Sequence, residues 1–401
     1  MRNKKIVLIL LCILSIFFSF VLYPVNTYAA YTLHSKYICL MDASSHRVLF
    51  SKDDTSTVPM ASTTKIMTLI IALENCPKDY ICTTSGYASA MPDVQLNAYK
   101  GEQFLINDLY YSLMLNSHND TAEIIAENVA YQYICNNNIQ VDFIDDKDFY
   151  SNDSSVLEVL SNEQCKELSL FFCNMMNKKC KELGIFSTYF LTPNGLDSED
   201  SRGFHHSTAY DLAIIMSYCI NNQTFLDITS TKSKTISDIN NKHTYSLSNT
   251  NPLLNSMDGI ISGKTGFTSK AGYCYVCAYE KNGCTFILVL LQCGYPPYKN
   301  YRWQDVRYIL DNYTQDLDNE ILLSGTLSIY VPVKKKKDTF VIYRLSGNIS
   351  SVIKENENIT FSVMIPDKID SLNDLSSYCN SFTVCVDDKP LLIKTFEIIE
   401  P

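Results

Sequence analysis

The chain has 401 residues, 15 cysteines and a formal net charge of −10. Such an acidic balance is a poor match to the phosphate backbone of nucleic acid, so no nucleic-acid partner is expected. The length allows one large domain plus a smaller one.

Residues 1–29 read as a secretory signal peptide. Arg2, Lys4 and Lys5 precede an apolar run from Ile6 to Leu22, and Thr27, Tyr28 and Ala29 lead to a cut. An uncleaved membrane anchor is the competing reading, because the run is close to the ~17 residues that can span a bilayer. Either way the bulk of the chain is expected outside the cytoplasm. Without this segment the charge moves from −10 to −13, since three cations and no anions leave. Cysteines in an exported chain usually suggest disulfides. Here Cys274 and Cys277 lie in a strand-like apolar run, and Cys173 and Cys180 in a helix-like one. Many are therefore expected as buried thiols, with one or two bridges left open. No Cys-x-x-Cys pair is matched by a second pair or by suitably spaced His, so no metal site is expected.

Residues 36–51, KYICLMDASSHRVLFS, read as two short strands around a turn at 43–46. Residues 60–75, MASTTKIMTLIIALEN, form the most continuously apolar helix of the mature chain, with Pro59 at its start. Ser62 and Lys65 share one face of it, one turn apart. The first turn offers unpaired N–H groups and the positive end of the helix dipole, which suits a serine that becomes an alkoxide. The spacing alone is weak, since Ser351 and Lys354 repeat it in a strand-like segment.

Residues 106–115 have helical periodicity and end at Asn116, Ser117, His118, Asn119 and Asp120. Asp120 and Glu123 are spaced like a capping box for the next helix. Ser117 and Asn119 thus stand on a short connection between helices, where function is often carried. Residues 131–161 are rich in Asn and Asp without periodicity and read as a solvated insertion. Residues 163–183 are helical again, and Ser207 or Thr208 caps a helix running through Tyr218. The neighbouring His205 and His206 point in different directions and do not suit one ion.

From Gly259 to Gln292 the pattern is an antiparallel meander: GIISGKTG, YCYVCAYE, an Asn-Gly turn, then CTFILVLLQ. Its first strand carries Lys264, Thr265 and Gly266. A phosphate loop is excluded because only three residues separate Gly259 from Gly263 and a strand follows instead of a helix. Residues 301–313 close the domain as a helix. After Ser324 short alternating runs predict a small β-rich domain.

Three motifs stand in one order: Ser62 with Lys65, Ser117 with Asn119, and Lys264-Thr265-Gly266. This set occurs in penicillin-binding proteins and class A β-lactamases. The chain resembles the D-alanyl-D-alanine carboxypeptidases, the low-molecular-mass penicillin-binding proteins, over residues 36–313. The resemblance extends to PMASTTKIMTLIIALE, LMLNSHNDTAEIIAE, LTPNGLD, HSTAYDLA and DGIISGKTGFTSKAGYCYVC. It implies a transpeptidase-like α/β fold of the α+β kind, an antiparallel sheet flanked by helices. The expected organisation is a signal at 1–29, a serine carboxypeptidase domain at 30–320 with the insertion at 131–161, and a small β-rich domain at 321–401.

By the same resemblance Ser62 is the nucleophile, Lys65 its base and Ser117 a proton relay. Asn119 holds the substrate amide, Lys264 and Thr265 bind its terminal carboxylate, and Gly266 leaves room for it. The N–H groups of Ser62 and Phe267 form the oxyanion hole. For Lys65 to act as base its pKa must fall by about three units, roughly 4 kcal/mol. The implied partners are peptidoglycan stem peptides and, as covalent inhibitors, β-lactams, with no cofactor and a site at the outer face of a bacterial membrane or cell wall. His118 departs from the family, which usually has Gly there. A β-lactamase-like hydrolase fits less well, since no Glu-x-x-Leu-Asn motif is present; a non-catalytic penicillin sensor is the other alternative.

Overall fold

In chain order, strands β1 (Tyr37–Asp42) and β2 (Val48–Lys52) precede helices α1 (Lys65–Asn75), α2 (Asn119–Asn136), α3 (Asn162–Glu182) and α4 (Ala209–Cys219). Strands β3 (Ile260–Thr268), β4 (Gly272–Lys281) and β5 (Cys284–Leu291) follow, then helix α5 (Tyr301–Tyr313). This computed structural model describes residues 31–144, 153–315 and 317–401. The signal assigned to residues 1–29 lies outside them, and residues 34–401 form one compact unit.

The sheet is wholly antiparallel in the order β2-β1-β5-β4-β3. β4 and β5 are buried on both faces, which is why they read as continuous apolar runs rather than alternating ones. α5 covers one face, with Trp303 edge-on to Tyr275 at 5.0 Å. α4 packs against β5 and β1. The β4–β5 turn is the expected Asn-Gly pair, with both residues in the left-handed region (Asn282 φ 53°, Gly283 φ 76°). β3 is left at the sheet's edge.

α1 is the buried centre of the helical layer, enclosed by α2, α3 and α4. Lys65 through Ala72 are all buried. Truncating one of its large apolar side chains to Ala costs about 2–5 kcal/mol. Helical structure does not begin at Pro59, however. A 3₁₀ turn, Ala61–Thr64, precedes α1, and Ala61 enters it in the left-handed region (φ 50°).

Two further expectations are corrected. The insertion cannot begin at Tyr131, because α2 continues to Asn136 with Tyr131 and Ile134 buried. Leu157 is also buried, within a short 3₁₀ turn (Ser154–Glu158). The capping box does not form either. His118 is the N-cap and caps with no side chain, while the Asp120 carboxylate accepts from the N–H groups of Leu96, Asn97 and Ala98.

The C-terminal region is strand-rich, as expected. Strands β6 (Leu317–Leu323) and β7 (Ile349–Lys354) pair, and two three-stranded sheets surround a separate apolar cluster that includes Tyr343, Phe382 and Val384. Arg47, just before β2, ties this region to the large sheet by donating to Glu357 at 2.5 and 2.8 Å and to the Val352 carbonyl at 2.7 Å.

Candidate active site

The three motifs meet in one cleft of about 320 Å³ between β3 and the helical layer, lined by Ser62, Ser117, Asn119, Thr265, Phe267 and Arg302 among others. The 3₁₀ turn presents the Ser62 hydroxyl at the mouth of this cleft. Lys65, the first residue of α1, lies beneath it with its Nζ 3.0 Å from Ser62 Oγ. The same Nζ donates to Asn119 Oδ1 at 2.8 Å and to the Asn194 carbonyl at 2.7 Å. Across the cleft Lys264 Nζ donates to Ser117 Oγ and to the Thr265 carbonyl, both at 2.8 Å.

Ser117 is held in the left-handed region (φ 65°, ψ 32°) where a short π-helical turn, Ser112–Asn116, ends. Backbone strain of this kind costs on the order of 1–3 kcal/mol and survives where surrounding contacts dictate it. His118 is turned away from the cleft mouth. Its Nδ1 pairs with Ser112 Oγ at 2.8 Å, and burial pushes its pKa down to about 4, so the ring is neutral. The other notable imidazole, His205, receives the Leu191 N–H on Nδ1 at 3.0 Å and pairs through Nε2 with Thr64 Oγ1 at 2.8 Å. It ties residues 191–192 to the 3₁₀ turn.

Both lysines are inside the protein, 0% and 1% exposed for Lys65 and Lys264. Burial, and then the Lys264 charge, hold Lys65 well below the ordinary lysine range. Burial, and then Arg302, push Lys264 down to about 7.

Two assigned residues also hold the protein's own groups. The Asn119 amide hydrogens donate to the Pro92 and Asp93 carbonyls at 3.1 and 3.0 Å, and its oxygen holds Lys65. Gly266 lines the cleft, and its missing side chain also makes room for protein. A Cβ there would stand 3.1 Å from both Ala61 Cβ and the Ser62 nitrogen. The glycine lets β3 press against the nucleophile's turn. Thr265 Oγ1 lies 3.1 Å from Thr250 Oγ1, and Phe267 is 42% exposed on the cleft wall.

Sequence reasoning missed Asn194, Arg302 and Glu123. The Asn194 carbonyl accepts from Lys65 and faces the Ser62 hydroxyl at 3.4 Å. Gly195 beside it adopts φ 86°, and any Cβ would overlap the Ala61 carbonyl. Pro193-Asn194-Gly195 is legible as a turn, and its contact with Ser62 is not. Arg302 reaches the cleft from α5, stacked on Trp303 at 4.4 Å and Tyr273 at 5.0 Å. Glu123 is buried beneath Asn194; its spacing from Asp120 reads as half of a capping box, which hides it.

The D-alanyl-D-alanine carboxypeptidase family profile, peptidase S11, matches residues 24–133 and 169–294. The chain belongs to this family. Within it the chain is 27% identical over 331 residues to the D-alanyl-D-alanine carboxypeptidase DacF of Bacillus subtilis, covering 81% of this chain and 74% of that one. The fold is that of the DD-transpeptidase of Streptomyces K15, one point mutant of which superposes with a TM-score of 0.56 at 25% identity over 70% of this chain and 98% of its own. Penicillin-binding protein D2 from Listeria monocytogenes shares the fold at a TM-score of 0.53 and 23% identity, over 70% of this chain and 97% of that one. Ser62, Lys65, Ser117, Asn119, Lys264, Thr265 and Gly266 all lie within the two matched segments.

Proposed function

We propose that this serine peptidase removes the terminal D-alanine from peptidoglycan stem pentapeptides through an acyl-enzyme on Ser62, and that β-lactams acylate the same hydroxyl. One observation carries the assignment: a buried lysine amine 3.0 Å from a serine hydroxyl, with a second lysine–serine pair at 2.8 Å in the same cleft.

Lys65, kept neutral by burial, takes the Ser62 proton as Oγ bonds to the carbonyl carbon of the penultimate D-alanine. The N–H groups of Ser62 and Phe267 receive the developing oxyanion. As the carbon–nitrogen bond breaks, Ser117 passes a proton to the leaving amine and is resupplied with the one Lys65 took, which returns Lys65 to its neutral form. Water then hydrolyses the ester, and Lys65 again serves as base. Lys264, Thr265 and Arg302 meet the substrate's terminal carboxylate, which accounts for a preference for a free D-alanine end.

The apolar run behind three cations supports an extracytoplasmic location, with residues 1–29 directing export or tethering the chain to the membrane. Residues 30–320 then act as the catalytic domain and 321–401 as an accessory β-rich domain. Benzylpenicillin should add its mass to the wild type and not to Ser62→Ala; a wild type that takes up no adduct ends the proposal.

A further inference from the structure

Glu123 lies one turn along α2 from Asn119 and is 2% exposed. Its Oε1 accepts from Asn194 Nδ2 at 2.8 Å, and its Oε2 from Ser169 Oγ of α3 at 2.6 Å. The Asn194 amide cannot turn over, because its Oδ1 accepts from the Leu196 N–H at 2.9 Å. The backbone carbonyl of Asn194 in turn accepts from Lys65 Nζ at 2.7 Å. A carboxylate is thus linked to the base through one residue, fixed at both ends.

Burying a carboxylate without an ion-pair partner costs several kcal/mol. None of the ion pairs among the described residues includes Glu123. A group kept at such a cost beside a cleft is a candidate for a functional role. The site also needs a negative charge at one moment. When Lys65 takes the Ser62 proton it becomes an ammonium in a water-poor interior, close enough to Lys264 to be repelled by it.

We infer that Glu123 is a positioning residue that supplies the countercharge for Lys65 during acylation and holds it through Asn194. The inference rests on the reading of Ser62 and Lys65 given above. Its logic is that of the buried aspartate behind a catalytic histidine, which orients the base and stabilises its protonated form without itself taking the proton.

The groups around Glu123 are consistent with a single charge there. Lys65 faces it from α1, Glu127 from the next turn of α2, Tyr87 from the short helix Gly86–Ser89, and Cys173 from α3. Burial raises all three, which disfavours a second charge on Glu127 and leaves Tyr87 and Cys173 neutral near pH 7. Asp120 is the other acid whose field reaches Lys65, and its oxygens are spent on the 96–98 backbone. Burial pushes Glu123 itself up to about 7, so it is charged on the alkaline side of neutrality.

The test uses the rate of benzylpenicillin acylation across pH, read by mass, with melting temperature as a control. Glu123→Gln keeps both bonds, since its oxygen accepts from Asn194 and its amide donates to Ser169, and removes only the charge. It should acylate about tenfold more slowly at alkaline pH, with the acid limb of the profile moved down. Ser169→Ala keeps the charge but removes a bond that favours the carboxylate. It should keep the alkaline rate while its acid limb moves up. A Glu123→Gln protein that acylates at the wild-type rate with an unmoved profile overturns the inference. If that variant does not fold, an unmoved acid limb in Ser169→Ala overturns it instead. A wild type that takes no adduct is the separate failure of the Ser62 assignment.

Discussion

Ser62-x-x-Lys65 and Ser351-x-x-Lys354 have the same spacing in two regions of the molecule, and only one pair meets. In the helical layer a 3₁₀ turn running into α1 stacks the lysine under the serine at 3.0 Å. On β7 a three-residue step puts the two side chains on opposite faces. Ser351 is buried against Ser45 Oγ at 2.8 Å, while Lys354 is exposed. The motif therefore carries chemistry only where the backbone has helical pitch and the lysine is desolvated. A solvated lysine at its ordinary pKa is no base near neutral pH.

Breaking the first pair should cost the most. Lys65→Ala, with folding intact, should lose about 10²–10⁴ in benzylpenicillin acylation and in D-alanine release, the usual worth of a positioned base. Gly195→Ala tests the packing that presents Ser62. Its Cβ would overlap the Ala61 carbonyl at a left-handed backbone, so stability should fall by about 2 kcal/mol or more in denaturant unfolding.

Lys264 gives a pH test with a definite sign. Its pKa is about 7 in the fold against 10.5 ordinarily, so between these values the unfolded chain binds the extra proton and stability rises with pH. Its charge, and with it recognition of the terminal carboxylate, fades over the same interval. KM for a D-alanine-ended peptide should therefore climb as pH rises past 7. The second pair should give the weakest response. Ser351→Ala should leave acylation unchanged and lower stability by about 1 kcal/mol through loss of its bond to Ser45. Any loss of acylation there would sink the contrast.

The meander and α1 are legible because long apolar runs bounded by turn residues leave few alternatives, and the Asn282-Gly283 turn is specified by its own chemistry. Many cysteines read as small apolar residues, and eleven of the fourteen described ones are buried. What escapes the sequence are contacts set by tertiary packing. Asp120 looks like a cap for its own helix because spacing cannot show that residues 96–98 offer it three N–H groups. Tyr131 and Ile134 fall in the expected insertion because the polar residues beside them hide the last turns of α2. Asn194 acts through its backbone carbonyl, which no side-chain pattern reports. Glu123 reads as half of a cap, and only burial reveals it as the acid under the base.

The distribution of the cysteines among the described residues has a practical consequence. Eleven are buried, Cys135 and Cys385 are half-buried, and Cys379 alone is exposed. Burial pushes up the pKa of interior thiols such as Cys39, Cys82 and Cys274 and leaves them protonated and slow to alkylate. A maleimide dye added to the native protein should therefore mark the β-rich region at Cys379, giving a fluorescent handle remote in sequence from every motif residue and requiring no engineered cysteine.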